Sequence, residues 1–285
     1  MVITGQTRNL LVGFAGSRVR IPPSPLKRGC CKIEEPGKYR DGRSFCSYFA
    51  AALFVFTAKE GIGKMGCRAV IFDMDGTLLN TLEDIAGGVN HTLKKYGYPE
   101  KTLDEVRMAV GNGAGRLMKN VLPQGEETPG FDKILKDYEA YYQEHCQVKT
   151  GAYPGILPLL EQLRGKGIQM AIVSNKGDGA VKELNRRYFA GLIDTAVGER
   201  PGIRRKPEPD SVLEALHLLG VSRQEALYVG DSEVDYHTAR RAGIRCALVT
   251  WGFRRKADLE CLLPDYLTEN PMELLEIVVS DEKSW

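Results

Sequence analysis

Two acidic residues one position apart, Asp73 and Asp75, follow directly on the apolar run Ala69-Val70-Ile71-Phe72 and precede Gly76-Thr77. A short apolar run that ends in turn residues reads as a buried strand. In extended geometry residues i and i+2 face the same way. The two carboxylates are therefore expected to project together from the carboxyl end of a strand, where open α/β sheets place their ligands. Like charges side by side need a counter-charge, and a hard cation such as Mg2+, held by oxygen ligands, is the simplest supply.

Further polar groups stand where later strands end or a loop returns to that edge. Ser174-Asn175 close the strand-like run Gln169 to Val173. Lys206 opens Lys206-Pro207-Glu208-Pro209, in which two prolines fix the backbone on both sides of Glu208. Asp231 and Asp235 follow the strand-like run Ala226 to Val229. Singly, each has an ordinary explanation. Ser-Asn after a strand is a turn or a helix cap, Lys-Pro is a surface loop, and an acid such as Asp235 suits a helix N-terminus. Their order along one chain is what gives them weight.

Asp73-Met74-Asp75-Gly76-Thr77 matches D-x-D-G-T, the first motif of the haloacid-dehalogenase-like hydrolase superfamily, and the chain resembles that family at the other three places too. The resemblance implies roles. Asp73 is expected to be a nucleophile that carries an aspartyl-phosphate, splitting one hard hydrolysis into two easier steps. Asp75 is expected to be the acid/base, protonating the leaving alkoxide and then activating water. Dehalogenases of the superfamily lack this second aspartate, so Asp75 argues for phosphoryl transfer. Ser174 and Asn175 are expected to hold phosphate oxygens, and Lys206 to reach the nucleophile and the phosphoryl group. Mg2+ is expected on Asp73, Asp231 and the backbone carbonyl of Asp75, with Asp235 in or just behind that shell and Glu233 farther out.

The elements that must position these groups alternate strand and helix, which argues for parallel βαβ units with right-handed crossovers. The fold expected is α/β, a Rossmann-like parallel sheet flanked by helices, with an inserted all-α cap. Helices are expected from Leu82, where Thr81 can serve as N-cap, and over Leu103 to Val110, Gly115 to Val121 and Phe131 to Cys146. No convincing strand lies among them. Core helices are expected over Ile156 to Lys166, with Leu157, Leu160 and Leu163 facing the sheet, Ala180 to Tyr188, Asp210 to Leu219 and Asp235 to Ala242. Gly220 and Gly243 stop the last two. Strands are expected near Ile193 to Val197 and, last, over Arg245 to Val249. The division expected is residues 65–78 and 151–285 as core, with 79–150 as cap.

The 285 residues are 43% hydrophobic and 27% charged, an ordinary globular composition. The net charge of +2 is unevenly spread: residues 1–64 hold 11 Lys/Arg against 4 Asp/Glu, and the remainder 28 against 33. Nucleic-acid binding would have to rest on residues 1–64, because the acidic remainder offers little pull, and none is expected. The apolar stretch Phe45 to Ala58 falls short of the ~20 residues a membrane helix needs, and it sits too far in for a usual signal peptide. No membrane association is expected. Gly16 to Pro25 resembles the conceptual translation of a tRNA gene, and Lys59-Glu60-Gly61 can be encoded by a ribosome-binding site. The natural start is accordingly expected at Met65, with residues 1–64 a non-native or disordered extension. Cys67, Cys146, Cys246 and Cys261 have neither zinc nor redox spacing, which points to a reducing cytoplasm.

The chain looks most like the phosphoglycolate-phosphatase-like branch of the superfamily. That likeness implies a small phosphorylated metabolite as substrate, with 2-phosphoglycolate as the candidate, and a monomer or homodimer. The loop Val110 to Arg116 resembles the branch's substrate-facing loop, with Asn112 and Gly113 at the leaving group and Arg116 or Lys119 at a carboxylate. Relatives with the same motifs hydrolyse sugar phosphates or nucleotides, or isomerise phosphosugars in the manner of β-phosphoglucomutase. Both remain as alternatives.

Overall fold

The computed structural model describes residues 66–282. The expectations for residues 1–64, for the Met65 start and for the stretch Phe45 to Ala58 lie outside the described residues. Six strands form one parallel sheet: β1 (Ala69–Phe72), β4 (Gln169–Gly177), β5 (Thr195–Glu199), β6 (Ala226–Gly230), β7 (Arg245–Val249) and β8 (Tyr266–Thr268), in the order β5-β4-β1-β6-β7-β8. The strand that carries Asp73 therefore lies inside the sheet, paired on both sides.

Alternation along β1 feeds two cores. Val70 and Phe72 join one apolar cluster with α5 (Ile156–Gly165), α6 (Asp178–Tyr188) and α10 (Pro271–Glu282). Ala69 and Ile71 join the other with α7 (Asp210–Leu219) and α8 (Glu233–Ala242). Each fully buried Phe72 or Ile71 side chain stabilises the fold by roughly 1.5–3 kcal/mol, so the nucleophile-bearing strand is anchored on both faces. Gly220 and Gly243 end α7 and α8 in the left-handed conformation, at φ +65° and +71°, as their positions predicted.

Between Asn80 and Gly151 the chain leaves the sheet and comes back. The exit β2 (Leu79–Asn80) and the return β3 (Gly151–Ala152) pair antiparallel as a two-residue ribbon. Enclosed between them are α1 (Leu82–Lys95), α2 (Leu103–Ala109), α3 (Gly113–Val121) and α4 (Phe131–His145), which bury a third apolar cluster of their own. Asp84, in the first turn of α1, ties exit to return. Its carboxylate accepts from the Lys149 and Thr150 amides at 2.9 Å each and from the Thr150 hydroxyl at 2.8 Å.

Some expectations are corrected. In α5 the buried positions are Ile156, Leu159, Leu160 and Leu163, whereas Leu157 is 41% exposed. Leu160 fixes the phase, and Leu157, one turn back, falls at the edge of the buried stripe. Thr81 precedes α1, but its hydroxyl makes no capping bond; it donates to Asp75 at 2.7 Å. Strand β8 follows what the apolar pattern marked as the last strand, and three residues are too few to show alternation. Among the described residues no helix is long and apolar enough to cross a membrane.

Candidate active site

β1 ends at Phe72, and Asp73 is the first residue past it, held by its amide, which donates to the Val229 carbonyl at 2.8 Å. The chain then turns through Gly76 at φ +88°. The chain also bends at Met74, between the two acids that extended geometry would have aligned, and each meets its own lysine. Lys206 Nζ stands 2.7 Å from Asp73 Oδ1. Lys176 Nζ stands 3.0 Å from Asp75 Oδ1.

Asp231 and Asp235 come to the Asp73 side from the end of β6 and the start of α8. Ligand-capable oxygens of Asp73, Asp231 and Asp235 all lie within 4.8 Å of one another, and all three residues are buried. The fit is so close that only glycine is accommodated nearby. A Cβ on Gly76 would stand 2.3 Å from Asp231 Oδ2, one on Gly252 2.3 Å from Asp231 Cβ, and one on Gly230 2.3 Å from Asp235 Cβ.

The three carboxylates are not equivalent. Asp235 Oδ1 accepts from Lys206 Nζ and from the Tyr228 hydroxyl, both at 2.8 Å, and Oδ2 accepts from the Ser232 amide at 3.1 Å and its hydroxyl at 2.5 Å. Burial alone would raise its carboxyl, but the Lys206 charge and these donors outweigh it and hold the group below the usual range. Asp73 goes the other way: burial, only partly offset by Lys206 and reinforced by Asp235, pushes it from 3.8 up to about 7. Burial and the neighbouring Asp235 and Asp73 charges push Asp231 well up as well.

Of the three buried carboxylates, Asp73 and Asp235 share Lys206 and Asp231 has no ion pair with it, and the two with spare oxygen lone pairs are the two that resist ionisation. A buried, all-oxygen, charge-deficient donor set fits a hard divalent cation. Asp73 and Asp231 would hold it directly, and the saturated Asp235 would stand behind them, fixing Lys206.

The shifted Asp73 carboxyl sets a pH dependence. The folded chain keeps a proton there that the unfolded chain loses above 3.8, so this contribution to stability is complete at low pH and is lost as pH rises through about 7. In EDTA, wild type minus Asp73→Asn should show a melting-temperature difference that declines from about pH 4 to about pH 7, and a saturating divalent cation should flatten it. A flat difference in EDTA would contradict the uncompensated cluster.

Ser174 and Asn175 lie inside β4, which runs on to Gly177 instead of stopping at Val173; the pairing with β5 shifts register between Val173 and Gly177. Among the described residues, Ser174 Oγ accepts only from the Lys176 amide, at 3.2 Å. The Asn175 amide group is taken up by backbone: Oδ1 accepts from the Lys206 N–H at 2.7 Å, and Nδ2 donates to the Lys206 carbonyl at 3.0 Å and, at 3.5 Å, to the Gly111 carbonyl. Asn175 therefore clamps the lysine loop instead of presenting a free side chain to a ligand. Gly113 lines the cavity above the site, and a Cβ there would stand 3.5 Å from the Asn175 carbonyl oxygen. Asn112, Arg116 and Lys119 do not line it, and Lys119 is paired with Glu126.

Other residues of the site were not singled out in the sequence. The cavity, about 1060 Å³, lies between the sheet edge and the four-helix segment, and Lys176, Tyr138, Tyr142, Phe253 and Arg254 help to line it. Phe253 donates its amide to Asp231 Oδ2 at 2.6 Å while its ring sits in the apolar cluster of the helical segment. Arg254 pairs with Glu233 and donates to the Arg107 and Val110 carbonyls at 3.2 and 2.8 Å. Only Lys176, adjoining Asn175 at a strand end, carried a signal that could have found it.

Known proteins resemble this chain in sequence and in fold. The model of the haloacid dehalogenase-like hydrolase family matches residues 70–249. Phosphoglycolate phosphatase of Aquifex aeolicus is 34% identical over 216 residues, 74% of this chain and 96% of that one. Phosphoglycolate phosphatase 1 of Pseudomonas aeruginosa is 31% identical over 233 residues, 75% of this chain and 84% of that one. The crystal structure of a candidate phosphoglycolate phosphatase from Lactobacillus delbrueckii subsp. bulgaricus superposes with a TM-score of 0.72 at 34% identity, covering 75% of this chain and 99% of that one.

Proposed function

Because this chain belongs to the haloacid dehalogenase-like hydrolase family, we propose that it is a phosphatase of small phosphomonoesters, 2-phosphoglycolate foremost, working through an aspartyl-phosphate on Asp73. The observation that carries this reading is the convergence of Asp73, Lys206 and Asp231 at the floor of one cavity, with Asp235 buried behind them and Asp75 beside them on a separate lysine.

In the first step an Asp73 carboxylate oxygen attacks phosphorus, the bond from phosphorus to the ester oxygen breaks, and protonated Asp75 gives its proton to the leaving alkoxide. In the second, Asp75 takes a proton from water as that water attacks the same phosphorus, releasing inorganic phosphate and restoring Asp73. Lys206 and Ser174 hold the phosphoryl oxygens throughout. Mg2+, held by Asp73, Asp231 and the backbone carbonyl of Asp75, would supply the positive charge that lets a dianion approach a carboxylate. Residues 79–150 act as a cap that closes over the substrate and excludes water; support comes from their exit and return through the β2–β3 ribbon. The buried thiols Cys146 and Cys246 suit a reducing cytoplasm.

A second reading has one observation in its favour. A cavity of about 1060 Å³ is ample for a sugar phosphate. Phosphate release should be measured with Mg2+ on 2-phosphoglycolate, glucose 1-phosphate, glucose 6-phosphate and nucleoside monophosphates. The expected result is a kcat/KM for 2-phosphoglycolate at least ~10-fold above the others, lost in EDTA and recovered with Mg2+. A preference for a hexose phosphate would replace the substrate assignment, and isomerised sugar without free phosphate would mark a mutase.

A further inference from the structure

We propose that Lys176, assisted by the Tyr142 hydroxyl, selects the organic part of the substrate by binding an acidic group on the carbon that bears the ester oxygen. This rests on the phosphatase reading of Asp73 and Asp75, and it assigns the substrate class to phosphomonoesters of α-hydroxy acids.

The two lysines of the site differ in what surrounds them. Lys206 is enclosed by Asp73, Asp235 and Tyr228, three partners for three N–H bonds. Lys176, only 10% exposed, meets two: Asp75 Oδ1 at 3.0 Å and the Tyr142 oxygen at 2.7 Å. Its third N–H has no acceptor among the described residues, and the residue lines the cavity. Because Tyr142 accepts from Lys176, its own proton is left to donate, and no acceptor for it stands among the described residues either. One ammonium N–H and one phenolic proton, both without an acceptor among the described residues and side by side at a cavity wall, suit an anionic group.

Position narrows the anion further. Asp75 serves the leaving oxygen, so that oxygen comes within hydrogen-bond reach of its carboxylate. Lys176 is bonded to the same carboxylate. A carboxylate on the carbon attached to the leaving oxygen then falls beside the free N–H of Lys176, whereas an anion farther along a sugar does not. Lys176 arrives from β4 and Tyr142 from α4, so the pair also joins sheet edge to helical segment at the place where such a substrate would lie.

The test compares kcat/KM for 2-phosphoglycolate with that for 2-hydroxyethyl phosphate, which has the same skeleton without the carboxylate. Wild type should prefer the acid. In Lys176→Met both rates fall, but the preference should shrink about 30-fold, the order expected for one charge-assisted hydrogen bond. Lys176→Arg should restore most of the preference. Tyr142→Phe, which keeps the ion pair and so guards against a Lys176 variant that does not fold, should reduce it about 5-fold, the order of one neutral hydrogen bond. Equal losses on both esters in Lys176→Met would mean that the lysine acts through Asp75 alone, and would overturn the proposal. An unchanged preference in Tyr142→Phe would remove the tyrosine from it. A wild type indifferent to the carboxylate would overturn both this assignment and the 2-phosphoglycolate reading, while phosphate release from either ester would leave the Asp73 chemistry standing.

Discussion

Replacing Asp73 with Asn should lower kcat by ~10⁴-fold or more, on 2-phosphoglycolate and on a generic aryl phosphate alike, because an amide cannot carry the phosphoryl group and nothing else in the cluster can take its place. Asp235 is saturated by Lys206, Tyr228 and Ser232, and Asp75 is turned toward Lys176 and Thr81. The fold should not suffer. Asp73 is buried and pushed up to about 7 by that burial, so at neutral pH without metal an uncharged Asn relieves the cluster. The metal-free variant should melt no lower than wild type. Residual activity within ~10-fold of wild type would contradict the assignment, and a large fall in melting temperature would make the kinetic loss uninformative.

Lys206→Met should fail on both counts. The lysine is the one ammonium between Asp73 and Asp235, and its removal leaves Asp235 buried, ionised and unpaired. Breaking a buried pair from one side costs about 3–5 kcal/mol, a fall of roughly 10 °C in melting temperature for a domain of this size. Loss of its hold on the phosphoryl oxygens should reduce kcat by ~10³-fold. The two effects can be separated by adding Asp235→Asn. Removing the orphaned charge should recover much of the stability and none of the activity. A double variant as unstable as the single one would mean that Lys206 contributes by packing instead of charge.

The sheet was legible because its signals are local. Ala69–Phe72 is a run of four apolar residues stopped by acids, and Gly220 and Gly243 sit where only a left-handed residue ends a helix. The members of the carboxylate cluster were legible for the same reason, each standing at the end of an apolar run or just beyond. What sequence could not give is which partner each group meets. Asp73 and Asp75 look alike on paper, yet the chain bends between them past the end of β1 and they meet different lysines. Asn175 falls where β4 shifts register, two residues short of its end, and the Lys206 backbone takes both ends of its amide. Thr81 has the residue type and place of a cap, and its hydroxyl goes instead to Asp75 across the neck of the helical segment. Lys176 and Tyr142, 34 residues apart, become neighbours only when the helical segment lies against the sheet edge. Such contacts come from tertiary packing and leave no periodicity to read.

The most direct test is to quench the enzyme with borohydride during turnover of 2-phosphoglycolate and sequence its peptides by mass spectrometry. An acyl phosphate is reduced where a free carboxylate is not, so Asp73 alone should be converted to homoserine, and only when substrate and Mg2+ are both present. Turnover that leaves Asp73 unmodified, or reduction at another carboxylate, would contradict a covalent route through this residue.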